Sequence, residues 1–188
     1  MEDFEVKKKE NPIVNVYEVN RKLSLPHTKL DLGCGLNRHE KEKNEYIYMD
    51  ADKAEGIDIV GDWNNIPLPP NSIDEIHSSD TIEHFRVWEY EKTFAEIVRV
   101  LKNGGKFWGT TPNRDYIVKA AYEGLKDEEW LRCNLHGHQL GFGHVHYNLF
   151  TKKSLKETLE KYGFENVVFS PIEEWIAFSA NKKPIVAL

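Results

Sequence analysis

The stretch Leu30-Asp31-Leu32-Gly33-Cys34-Gly35 constrains this chain more than any other. Residues 29–32 read as a short buried strand, and two glycines break it at its carboxyl end. Glycine has no Cβ, so the backbone can turn sharply there and a ligand can lie against it. In an open α/β sheet, ligands bind at the carboxyl ends of the strands. A phosphate cradle would combine such glycines with a helix N-terminus and no adjacent carboxylate. Here Asp31 stands beside the turn, which suits a ligand carrying an ammonium group and hydroxyls.

The chain continues as alternating strands and crossovers. Residues 46–49 form a second strand ending in Asp50-Ala51-Asp52, and residues 57–60 a third, followed by Gly61-Asp62-Trp63. Between the first two, residues 36–45 are too short and polar for a full amphipathic helix, so a loop with a turn of helix is expected. Residues 73–78 form the fourth strand, which runs into Ser79-Asp80-Thr81-Ile82-Glu83-His84-Phe85. A helix over 88–101 places Phe94, Ile97, Val98 and Leu101 on one face, and Asn103-Gly104-Gly105 ends it. The fifth strand is 106–110, closed by Thr111-Pro112-Asn113. Further on, residues 115–130 read as helix, and Thr151 caps a helix through 162 that Gly163 stops. Strands follow at 164–169 and 184–188. Residues 13–17 fit either a short strand or the edge of a helix. This order predicts one doubly wound α/β sheet, mostly parallel, with an antiparallel last strand.

At 188 residues the chain has room for one domain. Its formal charge of -6 argues against a nucleic-acid binder, which usually carries a basic face. Cys34 and Cys133 make no disulfide framework. The charged start has no apolar leader and no stretch approaches a membrane span, so a cytoplasmic location is expected.

The residues Asp31-Leu32-Gly33-Cys34-Gly35, with the run Arg99-Val100-Leu101-Lys102-Asn103-Gly104-Gly105 before a strand and Thr-Pro-Asn, resemble the class I S-adenosylmethionine-dependent methyltransferases, the small type-eleven domains in particular. The likeness is good over about 28–110, loose over 150–188 and weak elsewhere. A nicotinamide-binding Rossmann domain is the nearest rival, but Arg38 stands where its third glycine should be. The resemblance implies S-adenosylmethionine as cofactor, held by Asp31, Gly33, Cys34, Gly35, Asp50, Ala51, Asp62, Trp63 and Ser79. Within that set it gives Asp50 the ribose hydroxyls, Asp62 the adenine amine and Trp63 the ring face. It also implies a division into an N-terminal lead (1–27), a cofactor-binding core (28–110), a substrate-side insert or lid (111–150) and a C-terminal helix with strands (151–188).

Catalytic candidates are His144 and His146 as general base, one of them nearest the transferred methyl, with Asp80 to orient a substrate hydroxyl or cap the following helix and His84 to transfer a proton or pack the helix start. His136-Gly137-His138 and His144-Val145-His146, with Cys133 as a further ligand, offer metal-binding groups, but the spacing matches no recognised pattern and no metal is expected. The reading is in-line methyl transfer to a small-molecule or saccharide acceptor. The alternative is a cofactor-binding regulatory or scaffold protein without turnover. Methylated product from labelled cofactor would separate the two.

Overall fold

The computed structural model describes residues 11–35, 45–139 and 144–184. Both alternatives for residues 13–17 are realised in succession: strand β1 (Ile13–Val14) and helix α1 (Val16–Leu23). Asn15 makes the change of direction, its side chain accepting from the Glu18 N–H at 3.3 Å as the helix cap. Strands β2 (Lys29–Leu32), β3 (Tyr46–Asp50), β4 (Ile59–Val60) and β5 (Ile73–Ser79) then follow. Helix α2 (Tyr90–Val100) leads into β6 (Leu101–Pro112), and helices α3 (Arg114–Glu123), α4 (Glu128–His136) and α5 (Lys152–Lys161) precede β7 (Phe164–Phe169) and β8 (Trp175–Lys182).

Among the described residues these strands form one eight-stranded sheet in the order β1-β4-β3-β2-β5-β6-β8-β7. β4, β3, β2, β5 and β6 run parallel, while β8 is antiparallel to both β6 and β7. The expected α/β sheet with an antiparallel last strand is therefore present, with β1 added antiparallel at the far edge. The chain leaves β2 toward β3 and β4 on one side and toward β5 and β6 on the other. That reversal opens a crevice at the carboxyl ends of β2 and β5.

Leu30, Leu32, Ile47, Met49, Ile76 and Phe107 fill the sheet interior. Helix α2 covers one face through Phe94, Ile97 and Val100, and Phe94 stacks on Tyr162 at 4.9 Å between ring centroids. Thr151 does cap α5, in a reciprocal capping box with Ser154.

Three expectations need correction, and a fourth, the strand over 184–188, falls almost wholly outside the described residues, among which the last strand is β8. Its buried positions alternate as Ile176, Phe178, Ala180 and Lys182, but small and polar residues between them weaken the strand pattern. Residues 185–188 lie outside the described residues, as do the lead at 1–10 and the crossover at 36–44. The helix expected over 115–130 is two helices, because Gly124 takes a left-handed φ of 65° and Asp127 caps a new start by accepting from the Trp130 N–H at 2.7 Å. Helix α2 ends at Val100 where Leu101 turns extended, so Gly104 lies inside β6 instead of capping the helix. The third strand is only Ile59–Val60, and Asp58 before it makes a buried ion pair.

That pair fastens α1 to the sheet. Lys22 Nζ lies 2.6 Å from Asp58 Oδ2, which also accepts from the Tyr48 N–H at 2.8 Å, and both residues are buried. Removing one partner of such a pair leaves an uncompensated buried charge. Lys22→Ala is expected to lower stability by about 3–5 kcal/mol in urea denaturation.

A second carboxylate ties the start of β2 to β5 and β6. Asp74 Oδ2 accepts from the Thr28 N–H and hydroxyl, each at 2.8 Å, and from Lys102 Nζ at 2.6 Å. Partial burial works against its charged form, but these donors outweigh it and lower the pKa from 3.8 to about 2. The folded state thus binds this proton less readily than the unfolded chain. The resulting stability is present above pH 3.8 and lost as the pH falls through about 2. In urea titrations over this range, Asp74→Asn should lose that part of the acid dependence.

Candidate active site

The glycine turn after β2 is held from both sides. The Gly33 and Cys34 N–H groups donate to the Met49 carbonyl at 2.8 and 3.2 Å. Gly33 has φ +72°, and a Cβ there would lie 2.3 Å from the Thr81 side chain. Position 33 therefore requires glycine both for its backbone conformation and for the approach of the turn after β5. Cys34 is buried against Tyr46 and Tyr48. The Gly35 N–H donates to Asp50 Oδ2 at 2.7 Å, while Asp50 Oδ1 accepts from the Asp52 N–H at 2.9 Å. One carboxylate at the end of β3 thus braces two loops. Asp31 is buried, and its Oδ1 lies 2.8 Å from Nδ1 of His77, its register partner on β5. A carboxylate offers lone pairs only, so the imidazole donates.

These strand ends border a cleft of about 1220 Å³. Each residue predicted for the site lines it except Asp62. The Asp62 side chain instead turns back on its own loop and accepts from the Asn64 N–H at 2.8 Å. Trp63 beside it lines the cleft and packs on Phe85 at 5.1 Å. Ala51 lines it next to Asp50, and Ser79 at the end of β5 shares a short hydroxyl contact with Thr110. Asp80 has φ +50°, its N–H donates to the Thr110 carbonyl at 2.9 Å, and its side chain reaches the open cleft.

Below Asp80 the wall is formed by a 3₁₀ turn over Ile82–His84. Glu83 is buried there with 1% of its surface exposed. Its Oε2 accepts from the Thr111 hydroxyl at 3.0 Å, and its Oε1 has no hydrogen-bond partner among the described residues. Burial, with the Asp80 charge adding to it, pushes the Glu83 carboxyl up to about 8. His84 Nδ1 lies 2.9 Å from the Val145 carbonyl, and His146 Nδ1 lies 2.9 Å from the Asn134 carbonyl. A carbonyl can only accept, so each Nδ1 carries the hydrogen and each Nε2 the lone pair. Burial lowers His84 to about 4 and also lowers His146, so both rings are neutral near pH 7. His146 Nε2 lies 4.0 Å from Glu83 Oε1, and the two rings are 4.9 Å apart.

The structure thus separates the two histidines that the sequence left equivalent. His146 joins His84 and Glu83, while His144 is half-exposed with its Nε2 3.4 Å from Asp52 Oδ2. Gly137 makes a tight contact: φ is +78° and a Cβ would lie 1.9 Å from the His144 carbonyl. Gly141, Phe142 and Gly143 lie outside the described residues. The segment before Phe150 is fastened to the turn, with the Tyr147 and Asn148 N–H groups donating to the Glu83 carbonyl at 2.9 and 3.1 Å. Glu83 itself carried no assigned role in the sequence. Its signal was a lone acid between Ile82 and Phe85, both fully buried.

The family model described as a methyltransferase domain matches residues 14–168. No curated protein matches. A Thermotoga maritima structure, described as a S-adenosylmethionine-dependent methyltransferase and possible histamine N-methyltransferase, superposes with a TM-score of 0.59 at 20% identity, covering 90% of each chain. A S-adenosylmethionine-dependent methyltransferase from Archaeoglobus fulgidus gives 0.59 at 17% identity, covering 89% of this chain and 91% of that one. Phosphoethanolamine N-methyltransferase 2 of Haemonchus contortus, in complex with S-adenosylmethionine, gives 0.53 at 16% identity over 90% of this chain and 52% of its own. At these identities the structures speak for the fold.

The two glycines make a direct test of the turn. An alanine at φ > 0 costs about 1–2 kcal/mol from the backbone alone. At Gly33 the Thr81 contact adds to this, whereas a Cβ at Gly35 meets nothing within 4 Å. Gly33→Ala should therefore destabilise the protein clearly more than Gly35→Ala when both are compared by urea denaturation.

Proposed function

We propose an acceptor class for a chain that belongs to the methyltransferase-domain family: a small molecule or saccharide presenting a hydroxyl or amine. The chain is a class I S-adenosylmethionine-dependent methyltransferase. Its cleft suits that donor in three respects. The turn is closed by Thr81 at Gly33 and open at Gly35, where the missing Cβ allows close backbone approach. A carboxylate stands at the end of β3, where two neighbouring hydroxyls could donate to Asp50. The volume of about 1220 Å³ exceeds the ~300–1,000 Å³ of an ordinary ligand pocket, which accommodates a donor and an acceptor together.

When bound, the donor supplies an electrophilic methyl on a sulfonium. Gly33, Cys34 and Gly35 would carry its amino-acid end, with the buried Asp31 giving that corner negative charge. Asp50 and Ala51 would meet the ribose, and Trp63 would flank the base. The Asp62 carboxylate would reach the adenine amine only by leaving the Asn64 N–H. The rest is positioning: holding the nucleophile in line and keeping water out supplies much of the acceleration.

The observation that carries the acceptor reading is the far wall of the cleft. The Nε2 atoms of His84 and His146 are lone-pair groups, and Glu83 Oε1 stands beside them without a partner among the described residues. Such a wall favours a ligand that donates, as a hydroxyl or amine does, and leaves a pure acceptor unpaired. Incubating the protein with methyl-labelled cofactor and fractionated metabolites should place the label in a low-mass, polar product; a labelled protein or nucleic acid instead would overturn the acceptor class. On the donor side, Asp50→Ala should weaken S-adenosylmethionine binding by about tenfold or more in calorimetry, since bonds to a charged group are lost along with the brace on Gly35.

A further inference from the structure

We propose that Glu83, His84 and His146 bind a divalent transition-metal ion, and that this ion holds the acceptor's oxygen for methyl transfer. One carboxylate oxygen and one nitrogen from each ring lie within 4.8 Å of one another. Ligand atoms about one metal at ~2.1 Å stand ~3.0–4.2 Å apart. The 4.0 Å between His146 Nε2 and Glu83 Oε1 already falls in that range, and the remaining gaps close by less than about an ångström.

The surroundings support a ligand set more than a packed core. Glu83 is almost fully buried, yet Oε1 has no hydrogen-bond partner among the described residues. A buried carboxylate oxygen without a partner is costly, and at 4.0 Å from the nearer imidazole nitrogen no hydrogen bond satisfies it. Both rings donate Nδ1–H to backbone carbonyls, Val145 and Asn134, and so direct the lone pair to Nε2. This is how metal-bound histidines are oriented by the groups behind them, and the Thr111 hydroxyl does the same for the carboxylate. All three residues border the cleft, so a path for the ion exists.

The donor chemistry selects the ion. Two imidazoles and one carboxylate suit Zn²⁺, Mn²⁺, Fe²⁺ or Co²⁺, whereas Mg²⁺ and Ca²⁺ prefer all-oxygen sets. Three protein ligands leave a position open for substrate. The cluster stands on its own geometry; the use of the ion in transfer rests on the methyl-transfer reading above. In that step a hydroxyl on the acceptor binds the ion and gives its proton to solvent. The oxygen's electron pair then forms the O–CH₃ bond. The CH₃–S bond breaks, its pair returns to sulfur, and the sulfonium becomes a neutral thioether. This proposal departs from the expectation of no bound metal, which rested on the spacing of His136, His138, His144 and His146; this set draws two of its three ligands from the turn after β5.

The test uses chelator-stripped full-length protein without an affinity tag, titrated with Zn²⁺ and, separately, Mg²⁺. One Zn²⁺ per chain is expected, with Mg²⁺ much weaker. Glu83→Gln and His146→Ala should each raise the Zn²⁺ dissociation constant by more than about tenfold, and His136→Ala, an exposed histidine outside the set, should leave it unchanged. Calorimetry with S-adenosylmethionine serves as the folding control, and His84→Ala replaces either variant that fails it. Zinc that binds equally well to these variants, or that is lost equally in His136→Ala, overturns the site. If S-adenosylmethionine binds and zinc does not, the metal inference alone falls. If zinc binds at these residues and S-adenosylmethionine does not, the methyl-transfer reading falls and the site stands. Turnover that survives chelation unchanged overturns the role in transfer.

Discussion

Pairing of β2 with parallel neighbours on both sides places the functional end of this molecule. Leu30, Asp31 and Leu32 are buried, and β3 and β5 occupy both hydrogen-bonding edges of the strand. The strand order reverses at β2, and at such a reversal an open α/β sheet leaves a crevice beyond its strand ends. The backbone groups that emerge there still need partners. Met49 supplies one carbonyl to two N–H groups and Asp50 supplies a carboxylate to a third. The same residues that stabilise the turn therefore define one side of the cleft. Buried Asp31, paired across the strands with His77, puts a carboxylate at its floor.

Much of this was legible in the sequence because strand ends are marked twice, by the loss of apolar pattern and by the breakers that follow. Asp31, Gly33, Asp50, Trp63 and Ser79 are all found at the one cleft. The exceptions have local causes. Asp62 is spent on its own turn, a competition that short acidic side chains often enter. Strand β8 was hidden because Ala177, Ser179 and Asn181 carry little strand preference. What sustains it is pairing along almost its whole length with β6, a tertiary effect that no local window contains. The break between α3 and α4 was present as Gly124 and Asp127, but the apolar residues on either side masked it.

The opposite wall was harder to read, and the reason is distance along the chain. Glu83 and His146 are 63 residues apart in number and meet only because the Glu83 carbonyl accepts two N–H groups from the returning segment. His144 and His146 stand two residues apart in one short stretch, so the sequence alone does not distinguish them. Their difference comes from partners: His146 reaches the Asn134 carbonyl at the end of α4, whereas His144 reaches Asp52 at the cleft mouth. Helix α4 depends in turn on the cap at Asp127. The chemistry of the wall is thus set by a helix start that carries none of its side chains.

The two walls are also energetically unlike. On the β2–β3 side each identified polar group of the turn is paired within the fold, and binding a ligand there adds bonds to a structure already satisfied. On the Glu83 side the fold keeps a buried carboxylate oxygen with no partner. Burial raises the carboxyl toward neutrality while it lowers the two imidazoles. Burying such groups is unfavourable for folding alone. Their cost is recovered only when something with positive charge or donor hydrogens enters the space between them. The β2–β3 side of the cleft is accordingly a preformed cradle, and the Glu83 side is a wall whose polar groups a bound ligand would complete.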